Sequence, residues 1–244
     1  MAGVGESRMD TVLFDLDGTL LPMDQDAFLK CYMAALAETF GPQGYDPKAL
    51  VGAVWKGTEA MVQNDGTMTN RERFWSSFSE AMGEDMLPKE DYFTEFYKNQ
   101  FGQAKAATGV QALAAKAVKL LKQKGYEVIL ATNPLFPSVA TKRRMKWAGL
   151  DPEDFSMVTT YEAETYCKPN LDYYRSILKR FGKKPEQCMM VGNDVDEDMC
   201  TAALGMNGYL ITDCLLNRHE KPLEGFLCGT FPEFYEYVTQ LPVI

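Results

Sequence analysis

One histidine, His219, serves a chain of 244 residues, and none of the six cysteines forms a Cys-x-x-Cys pair. Those two scarcities exclude the usual zinc-binding patterns. His219 lies in a polar segment, where a surface position is the expectation. Cys31, Cys167, Cys188, Cys200, Cys214 and Cys228 are scattered rather than framed as a disulfide scaffold, which fits a reducing compartment. There is no basic run, and the net charge is −9. Non-specific binding to nucleic acid or to an anionic membrane is therefore not expected. No apolar run approaches membrane length, and residues 1–8 lack the apolar centre of a signal peptide. A cytoplasmic protein is the expectation. There is no internal repeat.

What is present is a chain with 46% apolar residues, enough for one large domain or a core with an insert. The stretch from Thr11 to Leu20 organises it. Val12, Leu13 and Phe14 read as a buried strand that stops at Asp15, and Asp17 and Gly18 follow. In an extended chain residues i and i+2 share a side, so both carboxylates are expected to enter one small volume. Gly18 lets the chain turn away. Two like charges that close need a divalent cation or a division of labour between an ionised and a protonated group. A carboxylate that attacks, beside one that gives and takes protons, suits phosphoryl transfer.

The string Asp15-Leu-Asp-Gly-Thr19 resembles the first motif of the haloacid dehalogenase-like hydrolases, in the branch with a helical type-one cap that includes phosphoglycolate phosphatases and β-phosphoglucomutases. The resemblance implies a Rossmann-like parallel α/β sheet with an inserted all-helical cap. It implies Asp15 as nucleophile through an aspartyl-phosphate, and Asp17 as general acid and base. Three further motifs should follow in order.

Behind the first strand the pattern turns helical. Asp24 caps a segment with Phe28, Tyr32, Leu36 and Phe40 at a period of four, which Gly41-Pro42 ends. Asp46-Pro47 opens a second helix, Thr69 to Glu72 is a capping box for a third, and Pro88 opens a fourth. The aromatics of these helices read as bundle core. Residues 22–104 are the expected cap, with 1–21 and 105–244 as the catalytic core.

A helix over Val110–Leu121 leads to a strand over Tyr126–Thr132. Strand, helix and strand in succession signal a parallel sheet, whose ligands sit at the carboxyl ends of strands. Thr132 and Asn133 occupy such an end, where a hydroxyl and an amide can hold phosphoryl oxygens. Thr132 corresponds to the family's second motif. Pro137–Ala148 reads as a helix with Arg143, Arg144 and Lys146 on a solvated face. After a short strand over Phe155–Thr160 comes Lys168-Pro169, which resembles the third motif; a fixed ammonium lowers the repulsion between a phosphate and an ionised Asp.

Cys188–Gly192 is a further buried strand, and four acids follow among the next six residues. A hard cation explains them, since Mg²⁺ takes oxygen ligands. The family has Gly-Asp here; this chain has Gly192-Asn193-Asp194. Asn193 or Asp194 can be the ligand, and Asp194 is preferred because a carboxylate balances the charge better. Asp198, one turn on, could anchor Lys168. Asn207–Thr212 reads as the last core strand, and Phe231–Leu241 as a closing helix.

The resemblance implies a Mg²⁺-dependent phosphatase acting on a small phosphorylated metabolite. Asp15, Asp17 (through its backbone carbonyl) and Asp194 would bind the metal, and Thr132, Asn133 and Lys168 would bind substrate. A sugar-phosphate mutase and a non-catalytic metabolite-binding module remain alternatives. A haloacid dehalogenase is disfavoured because that branch lacks the second Asp. Lys56 and Arg71 are candidate contacts for an anionic substrate, with exposed helix positions as the default.

Overall fold

The computed structural model describes residues 8–83 and 89–244. In chain order the elements are β1 (Thr11–Phe14), α1 (Gln25–Phe40), α2 (Pro47–Val62), α3 (Asn70–Met82), α4 (Glu90–Lys98), α5 (Ala114–Gln123), β2 (Glu127–Leu130), α6 (Ser138–Trp147), β3 (Met157–Val158), α7 (Leu171–Phe181), β4 (Cys188–Gly192), β5 (Asn207–Ile211), β6 (Leu227–Gly229) and α8 (Phe231–Gln240). The strands form one sheet ordered β3-β2-β1-β4-β5-β6, with every pairing parallel. This is the expected Rossmann-like α/β architecture.

β1 is central and wholly buried, which its unbroken apolar run dictates. Phe14 pairs with Leu130 of β2 on one side and Val191 of β4 on the other. Three strands therefore end level at the rim from which Asp15 emerges. Successive β1 side chains serve opposite faces. Val12 and Phe14 pack with α5, α8 and the helical segment, while Leu13 packs with Tyr173, Ile177 and Leu178 of α7.

The helices between β1 and α5 start where local chemistry dictates. Asp24 accepts from the amide of Ala27 at 2.9 Å, and Asp46 from that of Ala49 at 2.7 Å with Pro47 behind it. The Thr69–Glu72 capping box is formed. The expected start at Pro88 lies outside the described residues. The chain leaves and returns through adjacent connections: Met23 bridges Thr108, and the amide of Gly109 donates to the carbonyl of Pro22 at 2.7 Å.

Several expectations need correction. α5 begins at Ala114 rather than Val110, whose side chain is exposed with nothing to pack on. The strand expected over Phe155–Thr160 is reduced to Met157–Val158, as befits the sheet's edge. β6 was not foreseen; Leu227-Cys228-Gly229 is too short and too exposed to signal a strand. Among the described residues no helix is long and apolar enough to cross a membrane.

Candidate active site

Asp15 follows β1 directly and is held in extended register, its amide donating to the carbonyl of Val191 at 2.9 Å. Gly18 then turns the chain with φ at +87°. A Cβ there would strike the amide of Asn193, so this position needs both the conformation and the missing side chain. The turn aims Asp15 and Asp17 into one cavity at the carboxyl ends of the strands, of about 230 Å³, between the sheet and the helical segment.

Lys168 is the hub. It is 1% exposed, and its ammonium lies 2.8 Å from Oδ1 of Asp15 and 2.6 Å from Oδ1 of Asp198. Asp198 reaches on with Oδ2, which accepts from the amide of Asp194 at 3.0 Å. One hydrogen-bonded chain thus joins residues 15, 168, 198 and 194. Burial works against the charge on Lys168, but Asp15 and Asp198 outweigh it and hold the ammonium well above the usual lysine range. Burial pushes the carboxyl of Asp15 up, against the pull of Lys168 and with the help of Asp17. Burial likewise lifts Asp198 to about 6 against Lys168.

Asp17 has its own cation. Arg144 of α6, 1% exposed, donates to Oδ2 of Asp17 and lies 4.4 Å above the ring of Phe136. The solvated face expected for this helix is therefore wrong at Arg144. Lys146 is exposed, but Arg144 shares the buried side with Ala140, Thr141 and Met145. The other oxygen of Asp17 is buried without a hydrogen bond among the described residues. Burial raises the carboxyl of Asp17, with Arg144 and then Lys168 pulling it down.

Asn193 is spent on structure. Its Oδ1 accepts from the Thr19 hydroxyl at 2.9 Å, and its Nδ2 donates to the carbonyl of Cys214 at 2.7 Å. Asp194 accepts the amides of Asp196 and Glu197 on Oδ1, at 2.8 and 3.0 Å, and the half-exposed Arg218 on Oδ2 at 2.6 Å. Asp196 pairs outward with His219 and Lys221, which puts His219 on the surface as expected.

Thr132 lines the cavity and its hydroxyl makes no hydrogen bond among the described residues; its carbonyl is held by Thr159 and Tyr173. Asn133 also lines the cavity, but its side chain braces neighbouring loops, accepting from the amide of Lys168 at 3.2 Å and donating to Glu197 at 3.1 Å.

Glu197 lines the cavity too, and the sequence singled it out only as one of four acids. Burial, with further repulsion from Asp194, Asp198 and Asp15, lifts its carboxyl to about 8 against the pull of Lys168. A carboxyl that stays largely protonated at neutrality beside a reacting centre is a marker of function.

Lys56 and Arg71 stay outside. Both are exposed and neither lines the cavity, and Arg71 pairs with Glu90 at 2.7 Å.

Among the described residues, no three His, Cys, Asp or Glu side chains gather as a ready metal cluster. The oxygens available to a hard cation include a backbone carbonyl instead. No hydrogen bond among the described residues reaches the carbonyl of Asp17, and no side chain among them donates to Oδ2 of Asp15. Oδ2 of Asp194 already holds a cation, the guanidinium of Arg218. Three such oxygens, with water and phosphate completing the shell, suit Mg²⁺.

Comparison with known proteins bears on the same residues. The family profile described as "Hydrolase: haloacid dehalogenase-like hydrolase" matches residues 9–204. Pyrophosphatase PpaX of Bacillus cereus is 24% identical over 190 residues, covering 77% of this chain and 76% of its own. Glyceraldehyde 3-phosphate phosphatase of Methanothermobacter thermautotrophicus is 31% identical over 106 residues, 43% of this chain and 45% of its own. Among solved structures, magnesium-bound YfnB of Bacillus subtilis superimposes with a TM-score of 0.58 at 19% identity, over 95% of this chain and 99% of that one. That likeness is one of fold.

Proposed function

This chain belongs to the haloacid dehalogenase-like hydrolases, and from that premise we propose that it is a Mg²⁺-dependent phosphatase of a small phosphorylated metabolite, working through an aspartyl-phosphate on Asp15. The observation that carries the reading is Asp15 itself. It lines the cavity with one oxygen on Lys168 and the other without a side-chain donor among the described residues. Relatives named as phosphatases and a magnesium-bound structural neighbour support it.

The Asp15 oxygen beside Lys168 attacks phosphorus, leaving the other oxygen for the metal, and the bond from phosphorus to the ester oxygen breaks. Asp17, its carboxyl raised by burial, gives its proton to the departing oxygen. It then takes a proton from the water that hydrolyses the aspartyl-phosphate, which frees phosphate and restores Asp15. Arg144 holds Asp17 in place between these transfers. Thr132 offers a hydroxyl, and Lys168 a fixed positive charge, to the phosphoryl oxygens. Asn133 holds the loops that carry Lys168 and Glu197. Mg²⁺, when bound by Asp15, the carbonyl of Asp17 and Asp194, would neutralise phosphate charge. The helices of residues 22–104 would act as the cap that excludes water.

The test is a phosphate-release screen over phosphorylated metabolites with and without Mg²⁺. Release that requires Mg²⁺ supports the reading. Isomerised product without net release would select the mutase, and tight binding without turnover the binding module.

A further inference from the structure

The cavity that opens above Asp15 is polar at one end and aromatic at the other. The polar end holds five carboxylates, Asp15, Asp17, Asp194, Glu197 and Asp198, and the one cation among its described lining residues, Arg218. The opposite end is walled by rings, chiefly Phe28, Tyr32, Trp55, Trp75, Tyr97 and Phe136. No lining residue contributed by the described part of the helical segment is charged. We infer that the group esterified to phosphate in the substrate is an uncharged, single-ring aromatic alcohol. The inference rests on the phosphatase reading for the phosphate end and names what fills the other end.

Size agrees. The cavity measures about 230 Å³, and an apolar cavity of roughly 150 Å³ already accepts benzene. Ring faces and edges are the complement of an aromatic ligand. A second anion on the substrate, a carboxylate or another phosphate, would lose its water against those rings without gaining a cation.

One polar contact remains available. The hydroxyls of Tyr32 and Tyr97 lie 2.8 Å apart and both are buried. The pair uses one of its two protons, and among the described residues the other has no acceptor. A ring carrying one hydroxyl, ether or carbonyl oxygen would supply that acceptor.

Benzyl phosphate, glycerol phosphate, phosphoglycolate and pyrophosphate form the decisive panel. Benzyl phosphate has an alkyl ester oxygen, so an intrinsically better leaving group does not favour it over the two other monoesters. With Mg²⁺, kcat/KM for benzyl phosphate is expected to exceed the others by at least about tenfold, or about 1.4 kcal/mol. Trp55 lines the aromatic end and is 46% exposed; Trp55→Ala should raise KM for benzyl phosphate several-fold with kcat kept, and change KM for glycerol phosphate by a smaller factor. Binding to Asp15→Asn, followed by tryptophan fluorescence, should show the same preference. Hydrolysis that favours phosphoglycolate or pyrophosphate would overturn the inference and leave the phosphatase reading intact. Preferential binding of benzyl phosphate with no hydrolysis of any ester would do the reverse. Neither preference nor hydrolysis would overturn both.

Discussion

Arg144 and Asp17 form a buried ion pair across 127 residues of sequence, with the guanidinium stacked on Phe136. In the proposed mechanism Asp17 must give up a proton and recover one, so its partner sets the pH at which it works. Burial already raises this carboxyl and Arg144 opposes the rise. Arg144→Met removes the opposing charge, so the group stays protonated to higher pH. The alkaline limb of the kcat–pH profile should move up, with slower turnover near neutrality. An unchanged profile would show that Arg144 does not govern the proton donor.

Lys168 separates two buried carboxylates, Asp15 and Asp198. Lys168→Met leaves both without a cation, and loss of one partner from such a site costs about 3–5 kcal/mol. Urea unfolding in chelator should show a loss of that size. Adding Asp198→Asn should restore part of it, because one of the stranded charges is then gone. Additive losses would argue against the shared ammonium.

Glu197 gives a pH signature of stability. In the folded chain its carboxyl is raised to about 8 from an ordinary 4.5. Between those values the folded state binds more protons than the unfolded one, so stability falls as pH rises through that window. Glu197→Gln removes the liability and can still accept from Asn133. In chelator, the variant should be more stable than the native chain at pH 8 and nearly equal to it at pH 4. Parallel stability profiles for the two would contradict the assignment.

Arg218 holds the oxygen of Asp194 proposed for the metal. Its side chain is 49% exposed, and pairs of that kind contribute about 0.2–1 kcal/mol. Arg218→Gln should therefore tighten the apparent Mg²⁺ constant for activity by up to roughly fivefold. A weaker Mg²⁺ requirement for the native chain than for the variant would point to a different ligand.

The sheet and much of the helical segment were legible because their signals are local. An unbroken apolar run specifies β1 and β4, and the capping residues Asp24, Asp46 and Thr69 fix helix starts. Asp15 and Lys168 could be named from motifs because Asp15 directly follows β1 and Lys168 shortly precedes α7. Arg144 was misread because its helix is charged overall; its four-residue spacing from Ala140 and Ala148, both buried, was the available signal. Arg218 gave none, since a loop arginine meets Asp194 only through the tertiary fold. The aromatics of α1, α3 and α4 do form the bundle core, but Phe28, Tyr32, Trp75 and Tyr97 also face the cavity. Periodicity shows that a face is buried and cannot show whether protein or ligand covers it.

The rate of phosphate release by Asp15→Asn tests the central claim most directly. The substitution keeps shape and removes the nucleophile, so on the best substrate with saturating Mg²⁺ the rate should fall by at least about 10³-fold while the circular dichroism spectrum stays native. A residual rate within tenfold of the native enzyme, still dependent on Mg²⁺, would contradict an aspartyl-phosphate on Asp15.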